Sequence, residues 1–203
     1  MKIICIGRNY ADHAKELNNP VPEEPMFFIK PDTALLRNND PFVIPAFTKD
    51  LHYEVEVFVK IKKKGKNISV KFAPQYYSEV GLGIDLTARD VQARCKEKGW
   101  PWEKAKAFDG SAPVSETVPL ATTGHIDGLS FELKKNGETV QRGYTGDMIY
   151  SMDQIINHAS KFFTLRVGDL IFSGTPAGVG KLEPGDRLEG YLEGLKMFDF
   201  KVR

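Results

Sequence analysis

The run His52-Tyr53-Glu54-Val55-Glu56-Val57 sets two carboxylates two positions apart among β-branched and aromatic side chains. In a strand successive side chains alternate between faces, so His52, Glu54 and Glu56 share one face and Tyr53, Val55 and Val57 the other. The two carboxylates then stand about 7 Å apart and point the same way. Phe58-Val59 follow, so the carboxylate face turns apolar and its far end is expected to be buried. Like charges side by side in a partly buried strand are costly unless a cation joins them. Asp85, at the carboxyl end of another predicted strand, offers a third oxygen donor. Three carboxylates with room for water and substrate suit Mg²⁺ or Mn²⁺, whereas zinc more often recruits His or Cys. Glu-x-Glu on a strand is equally the pattern of a solvated strand face, and by themselves these residues leave both readings open.

Two further segments carry chemistry. In residues 7–16, Gly-Arg-Asn-Tyr-Ala-Asp-His-Ala-Lys-Glu, a helix would bring His13 and Glu16 into contact, a pairing that can move a proton but that many exposed helices carry by chance. In residues 173–180, Ser-Gly-Thr-Pro-Ala-Gly-Val-Gly, a nucleotide-binding reading fails. Gly180-Lys181 is followed by Leu182 instead of Ser or Thr, and Glu183 stands where a dinucleotide fingerprint needs glycine. What remains is a tight turn able to bring backbone N–H groups and the Thr175 hydroxyl close to an anion. The basic stretch 62–66 reads as a solvated hairpin tip, since no aromatics interleave with it. His125 and His158 have no local partner, and Trp100 and Trp102, flanking Pro101, are expected to pack.

The elements that must position these groups are mostly strands. Residues 2–7 read as a strand, 9–17 as a helix, 18–25 as a proline-rich loop and 26–30 as a strand stopped by Pro31. Strands are predicted at 42–44 and 51–62, the latter turning at 63–67 into a return strand at 68–72. A strand at 80–86 leads into a helix at 87–99 with Thr87 as its N-cap and Gly99 as its stop. Strands at 125–134 and 138–141 flank an Asn136-Gly137 hairpin turn. An amphipathic helix at 152–163 and strands at 170–173 and 188–202 complete the pattern. Strands and helices do not alternate as in a βαβ protein, so one α+β domain over residues 1–203 is expected.

Composition bounds the partners. With 203 residues, 41% hydrophobic and 27% charged, the chain is an ordinary folded protein near the upper end of what one core serves. The net charge of +1 provides no general field for nucleic acid or an anionic membrane. No apolar run approaches the ~18 residues of a spanning helix and no leader pattern opens the chain, so a cytoplasmic protein is expected. Cys5 and Cys95 read as reduced, buried thiols.

Six segments in order resemble the fumarylacetoacetate hydrolase family, within its short branch of acylpyruvate hydrolases and oxaloacetate decarboxylases. They are residues 7–16, 27–31 (FFIKP), 52–56 (HYEVE), 85–92 (DLTARDVQ), 98–113 (KGWPWEKAKAFDGSAP) and 168–180 (GDLIFSGTPAGVG). The resemblance implies a single-domain mixed-β roll with peripheral helices, usually a homodimer. It implies a Mg²⁺ site, with Mn²⁺ as the alternative, on Glu54, Glu56 and Asp85, an active-site lysine at Lys106, and a lid over 10–25 carrying a His13/Glu16 dyad. Arg89, Gln92 and Thr175 match substrate contacts. The larger relatives' extra N-terminal domain is absent from this sequence, which disfavours fumarylacetoacetate itself. The expected reaction is cleavage at C3 of a short 2-oxo acid: hydrolysis of an acylpyruvate by water that the dyad activates, or decarboxylation of oxaloacetate, which needs no water. An isomerase or hydratase of an unsaturated 2-oxo diacid and a non-catalytic ligand-binding protein are the alternatives.

Overall fold

Val55 to Val59 are all buried, as expected of a central strand covered on both faces. The computed structural model describes residues 1–17 and 20–203. Its first half runs β1 (Lys2–Gly7), α1 (Ala11–Glu16), β2 (Met26–Pro31), β3 (Leu35–Leu36), β4 (Leu51–Tyr53), β5 (Val55–Ile61), β6 (Tyr77–Ile84), β7 (Thr87–Ala88), α2 (Arg89–Lys98) and α3 (Glu103–Lys106). The second half adds β8 (Ala112–Pro113), β9 (Val118–Pro119), α4 (Leu120–Thr123), β10 (Ser130–Lys135), β11 (Glu138–Tyr144), α5 (Met152–Phe162), β12 (Leu170–Phe172), β13 (Gly180–Lys181), β14 (Arg187–Leu192) and β15 (Leu195–Lys201).

The main sheet has the order β2-β1-β12-β5-β6-β9, parallel between β1 and β12 and antiparallel elsewhere. A second sheet, β11-β10-β14-β15, packs on one face of it. Val55, Val57 and Val59 of β5 and Leu82 of β6 meet Leu133, Leu188 and Phe198 there to form the main core. The opposite face buries Ile3, Cys5, Phe58 and Phe172, the two phenylalanine rings stacked at 5.2 Å. Mixed sheets with peripheral helices make this the expected α+β architecture.

The largest departure from the sequence reading is the break of the 51–62 strand at Glu54. Below the break, β4 pairs with β7 and β13 in a three-stranded sheet; above it, β5 pairs with β6 and β12. The neighbouring chain breaks at the same level, between β6 and β7, where the Asp85 N–H donates to the Glu54 carbonyl at 2.8 Å. The Val55 N–H leaves the ladder to reach Gln141 Oε1 at 3.0 Å. Glu54 and Asp85 therefore occupy the corner at which two paired chains change sheets.

Other boundaries move for local reasons. Thr87 belongs to β7 and does not cap α2, whose N-cap is Ala88; its hydroxyl donates instead to the Asp85 carbonyl. Residues 68–72 form no return strand: α5 takes both backbone groups of Ile68, with Ser160 Oγ accepting from its N–H and Asn157 Nδ2 donating to its carbonyl, and Phe72 N–H turns back to Ser69 O. A 3-10 turn, Val70–Tyr76, follows, and β6 is the hairpin partner of β5. Between Pro41 and Pro45, which lack N–H donors, the 42–44 strand reduces to a bridge from Phe42 to Val202. The 125–134 strand starts only at Ser130, after a 3-10 turn at Ile126–Gly128. Residues 188–202 split into β14 and β15 at Glu193-Gly194, whose φ values of 49° and 77° make a tight hairpin turn. The expected Asn136-Gly137 turn has the same left-handed pair, and the Ser151 capping box starts α5.

Candidate functional site

One end of the main sheet gathers the chemistry. β1 and β12 run parallel and both end there, β5 begins there, and β6 ends there. The loops after β1 and β12, the start of β5 and the Asp85 corner thus converge on one cleft, with about 440 Å³ of empty space including its open mouth. His13, Glu54, Glu56, Asp85, Arg89, Gln92, Lys106 and Thr175 line it. Of the nine residues singled out from the sequence, eight face this cleft, and Glu16 stands behind His13.

Glu54, Glu56 and Asp85 are buried, with ligand oxygens within 4.8 Å of one another. The break at Glu54 sets its backbone beside Asp85, whose N–H it accepts. The oxygens are not bare. Lys106 Nζ donates to Glu54 Oε2 at 2.8 Å, to Asp85 Oδ2 at 2.6 Å and to Thr87 Oγ1 at 2.6 Å. Arg89 Nη2 donates to Glu54 Oε1 at 2.5 Å, and Lys30 Nζ forms an ion pair with Asp85 Oδ1 at 2.7 Å. Burial pushes the Glu54 carboxyl up, but the Lys106 ammonium and Arg89 guanidinium outweigh it and hold the group well below the usual range. Glu56 goes the other way: burial first, then the charges of Asp85 and Glu54, push it well up, and the Gly174 N–H at 2.8 Å offsets only part. Burial lowers the Lys106 pKa, and Asp85 and Glu54 more than restore it. Three hard oxygen donors, one of them with no cationic partner among the described residues, fit a divalent cation of the magnesium or manganese type.

The dyad is formed as its spacing requires: His13 Nδ1 lies 3.1 Å from Glu16 Oε2. The Gly178 N–H donates to Glu16 Oε1 at 3.0 Å, so α1 is tied to the glycine-rich turn. The anions that this turn serves are the protein's own, Glu56 through Gly174 and Glu16 through Gly178. Tyr10 bridges to Met148 and the Tyr150 hydroxyl donates to Pro22 O at 2.8 Å, so both flanks of the 10–25 segment rest on the body of the protein. Asn18 and Asn19 of that segment lie outside the described residues. On α2, Arg89 Nη1 donates to Gln92 Oε1 at 2.9 Å, fixing the two side chains together.

Sequence reasoning missed three supports. Lys30 is 0% exposed, and its ammonium is shared between Asp85, the Lys106 and Ser111 carbonyls and Ser111 Oγ. A lysine in an otherwise apolar strand, FFIKP, was the available signal. Gln141 joins three parts of the site, accepting from Val55 N–H and donating to Thr175 Oγ1 and Pro176 O. Asn9 clasps the loop ends through Tyr150 and Ser173. No local pattern marks Gln141 or Asn9, since all their partners are distant in sequence. His158 packs against Phe27, and Trp102 lies against Phe28 at the cleft wall.

Similarity to known proteins covers the whole length. The family described as Fumarylacetoacetate (FAA) hydrolase C-terminal matches residues 2–203. The chain is 45% identical over 201 residues to oxaloacetate tautomerase FAHD1, mitochondrial, of Mus musculus, covering 99% of this chain and 91% of that protein. It is 40% identical over 206 residues to oxaloacetate decarboxylase, mitochondrial, of Dictyostelium discoideum, covering 100% of this chain and 94% of that protein. The crystal structure of fumarylpyruvate hydrolase from Pseudomonas aeruginosa in complex with Mn²⁺ and pyruvate has a TM-score of 0.94 at 38% identity, covering 100% of this chain and 89% of that one. These named relatives are enzymes of 2-oxo acids. Since the likeness extends from β1 to β15 and is not confined to one motif, the chain belongs to the fumarylacetoacetate hydrolase family.

Proposed function

We propose that the protein is a divalent-metal-dependent enzyme that interconverts the keto and enol forms of oxaloacetate. The observation that carries this reading is the buried triad facing the His13/Glu16 dyad across one cleft. Glu54, Glu56 and Asp85 would hold the cation, Mg²⁺ in our reading with Mn²⁺ as the alternative, which when bound supplies Lewis acidity to the pyruvate-like head group. Lys106 sets an ammonium at the cleft floor, where negative charge on the 2-oxo oxygen is opposed. His13, oriented through Nδ1 by Glu16, would use Nε2 to carry a proton from C3 to the 2-oxo oxygen, and back in the reverse direction. Arg89 and Gln92 on α2 and Thr175 on the glycine-rich turn would orient the carboxylate.

The same charge stabilisation serves decarboxylation of oxaloacetate, in which carbon dioxide leaves C3 and no base is needed. Hydrolysis of acylpyruvates is the second reading, favoured by the dyad and by the fumarylpyruvate hydrolase relative. There His13 would deprotonate a water that attacks the distal carbonyl, and the C3 bond would break to give a carboxylic acid and pyruvate. The working unit in this reading is a homodimer. Two unpaired, buried cysteines accord with a reducing compartment, the cytosol in our reading, and the mitochondrial name of the mouse relative points to a second such compartment.

The test follows the ultraviolet absorbance of enol-oxaloacetate in the presence of the Mg²⁺-loaded protein, with carbon dioxide and acetylpyruvate hydrolysis assayed alongside. His13→Ala is expected to slow enol conversion and hydrolysis by about 10²–10⁴-fold, to leave Mg²⁺ binding intact and to spare decarboxylation. Equal loss of all three activities with metal content unchanged would make the dyad a positioning device for the common head group. Full activity after EDTA treatment would overturn the metal-dependent reading, and preferential turnover of a dienoic 2-oxo diacid would favour the isomerase alternative.

A further inference from the structure

The charges around the cleft do not cancel. The three carboxylates of the triad are equalled in number by three cations, Lys30, Lys106 and Arg89, which pair with Glu54 and Asp85. Two more cations line the same cleft, Arg8 after β1 and Lys96 on α2, and among the described residues neither has a carboxylate within 4.0 Å. Arg8 has φ of 59°, the left-handed region that a non-glycine residue occupies at an energetic cost, and it is one of only a few such residues among those described. Lys96 Nζ lies 5.5 Å from the centre of the Trp102 ring, itself part of the cleft wall. Desolvation at the rim and the charges of Arg8, Arg89 and Lys106 pull the Lys96 pKa below its ordinary value. Like charges directed at one space, one of them on a strained backbone, leave an anion-shaped demand that the protein itself does not fill.

We propose that Arg8 and Lys96 form a second anion subsite at the mouth of the cleft, which takes the distal carboxylate of a 2-oxo dicarboxylic acid. This deepens the proposed function and rests on it: the head group occupies the floor by the triad and Lys106, and the far carboxylate reaches the rim. Arg8 contributes a planar fork suited to a carboxylate, and Lys96 a point charge steered by the indole beneath it. Acylpyruvates that lack a distal carboxylate would use only the floor, so the rim sets a preference for diacids.

Two five-carbon probes differing only at the far end, 2-oxopentanoate and 2-oxoglutarate, are titrated by calorimetry into the Mg²⁺-loaded protein. The wild type is expected to bind the diacid about 10–100-fold more tightly, the usual worth of a charge-assisted contact. Arg8→Gln and Lys96→Met should each cut that preference by about 5-fold or more, and Arg8→Lys should restore part of it. In oxaloacetate turnover both variants should raise KM by more than they lower kcat. No diacid preference in the wild type, or equal loss of both probes in the variants, would overturn the subsite while leaving the head-group reading intact. Failure of the metal-loaded wild type to bind either probe would overturn the 2-oxo acid reading itself, and the subsite with it.

Discussion

Glu56 differs from its two partners in the triad, for it lacks a cation and meets only the Gly174 N–H. Its folded pKa lies well above the ordinary 4.5, so its contribution to the metal-free protein is fully present below 4.5 and is lost as pH rises through the raised folded value. Glu54, depressed by Lys106 and Arg89, contributes oppositely, but only below its ordinary pKa, so above that value it does not mask the contribution of Glu56. Calorimetric scans of chelated protein at about pH 5.5 and about pH 7.5 should therefore show a Glu56-dependent gain on the acid side. Glu56→Gln should remove that gain, raise Tm at the higher pH and abolish Mg²⁺ binding. Lys30 acts in the opposite sense. Removing one member of a buried ion pair costs about 3–5 kcal/mol, so Lys30→Met should lower the denaturation midpoint and, by freeing Asp85 and the Lys106 carbonyl, turnover as well. A variant as stable and active as wild type would show that Lys30 only fills space.

At the scale of elements, α1 is tied to the glycine-rich turn by one backbone donor, the Gly178 N–H. Gly178 has φ of 99°, and a Cβ there would come within 2.4 Å of the Val140 carbonyl. Gly178→Ala should shift the turn, detach its N–H from Glu16 and depress enol conversion while leaving metal affinity unchanged; loss of metal binding would mean that the turn props up the triad instead. The capping box of α5 provides the contrast. Ser151→Ala should cost about 0.5–2 kcal/mol in chemical denaturation with no change in kinetics, since α5 supports the main core and contributes no side chain to the cleft.

For the whole molecule, light scattering is expected to give about twice the 22.8 kDa chain mass; a monomer at micromolar concentration would remove the homodimer from the proposal. In the proposed function the folded triad would hold Mg²⁺ and the unfolded chain would not, so Mg²⁺ at about 100 times Kd should add about 2.7 kcal/mol of stability, reversed by EDTA. No described helix is long and apolar enough to cross a membrane.

The sequence by itself determined whatever depends on spacing along one element. It brought His13 to Glu16 on one helical turn, identified the Asn136-Gly137 hairpin, and put Glu56 on the face that Phe58 buries. The resemblance carried further, to the triad, Lys106 and the α2 pair, because six short motifs in order encode one arrangement. Tertiary structure decided what depends on partners far apart in the chain. The strand breaks at Glu54 because the Asp85 N–H and Gln141 reach it from elsewhere, and no return strand starts at Ile68 because α5 claims its donor and acceptor. Lys30 is tolerated in the interior because Asp85 and the Lys106 and Ser111 carbonyls surround it, and Arg8 and Lys96 share a cleft because the end of β1 and α2 meet at the same edge of the fold. Desolvation and charge balance are properties of such enclosures, and no window of consecutive residues contains one.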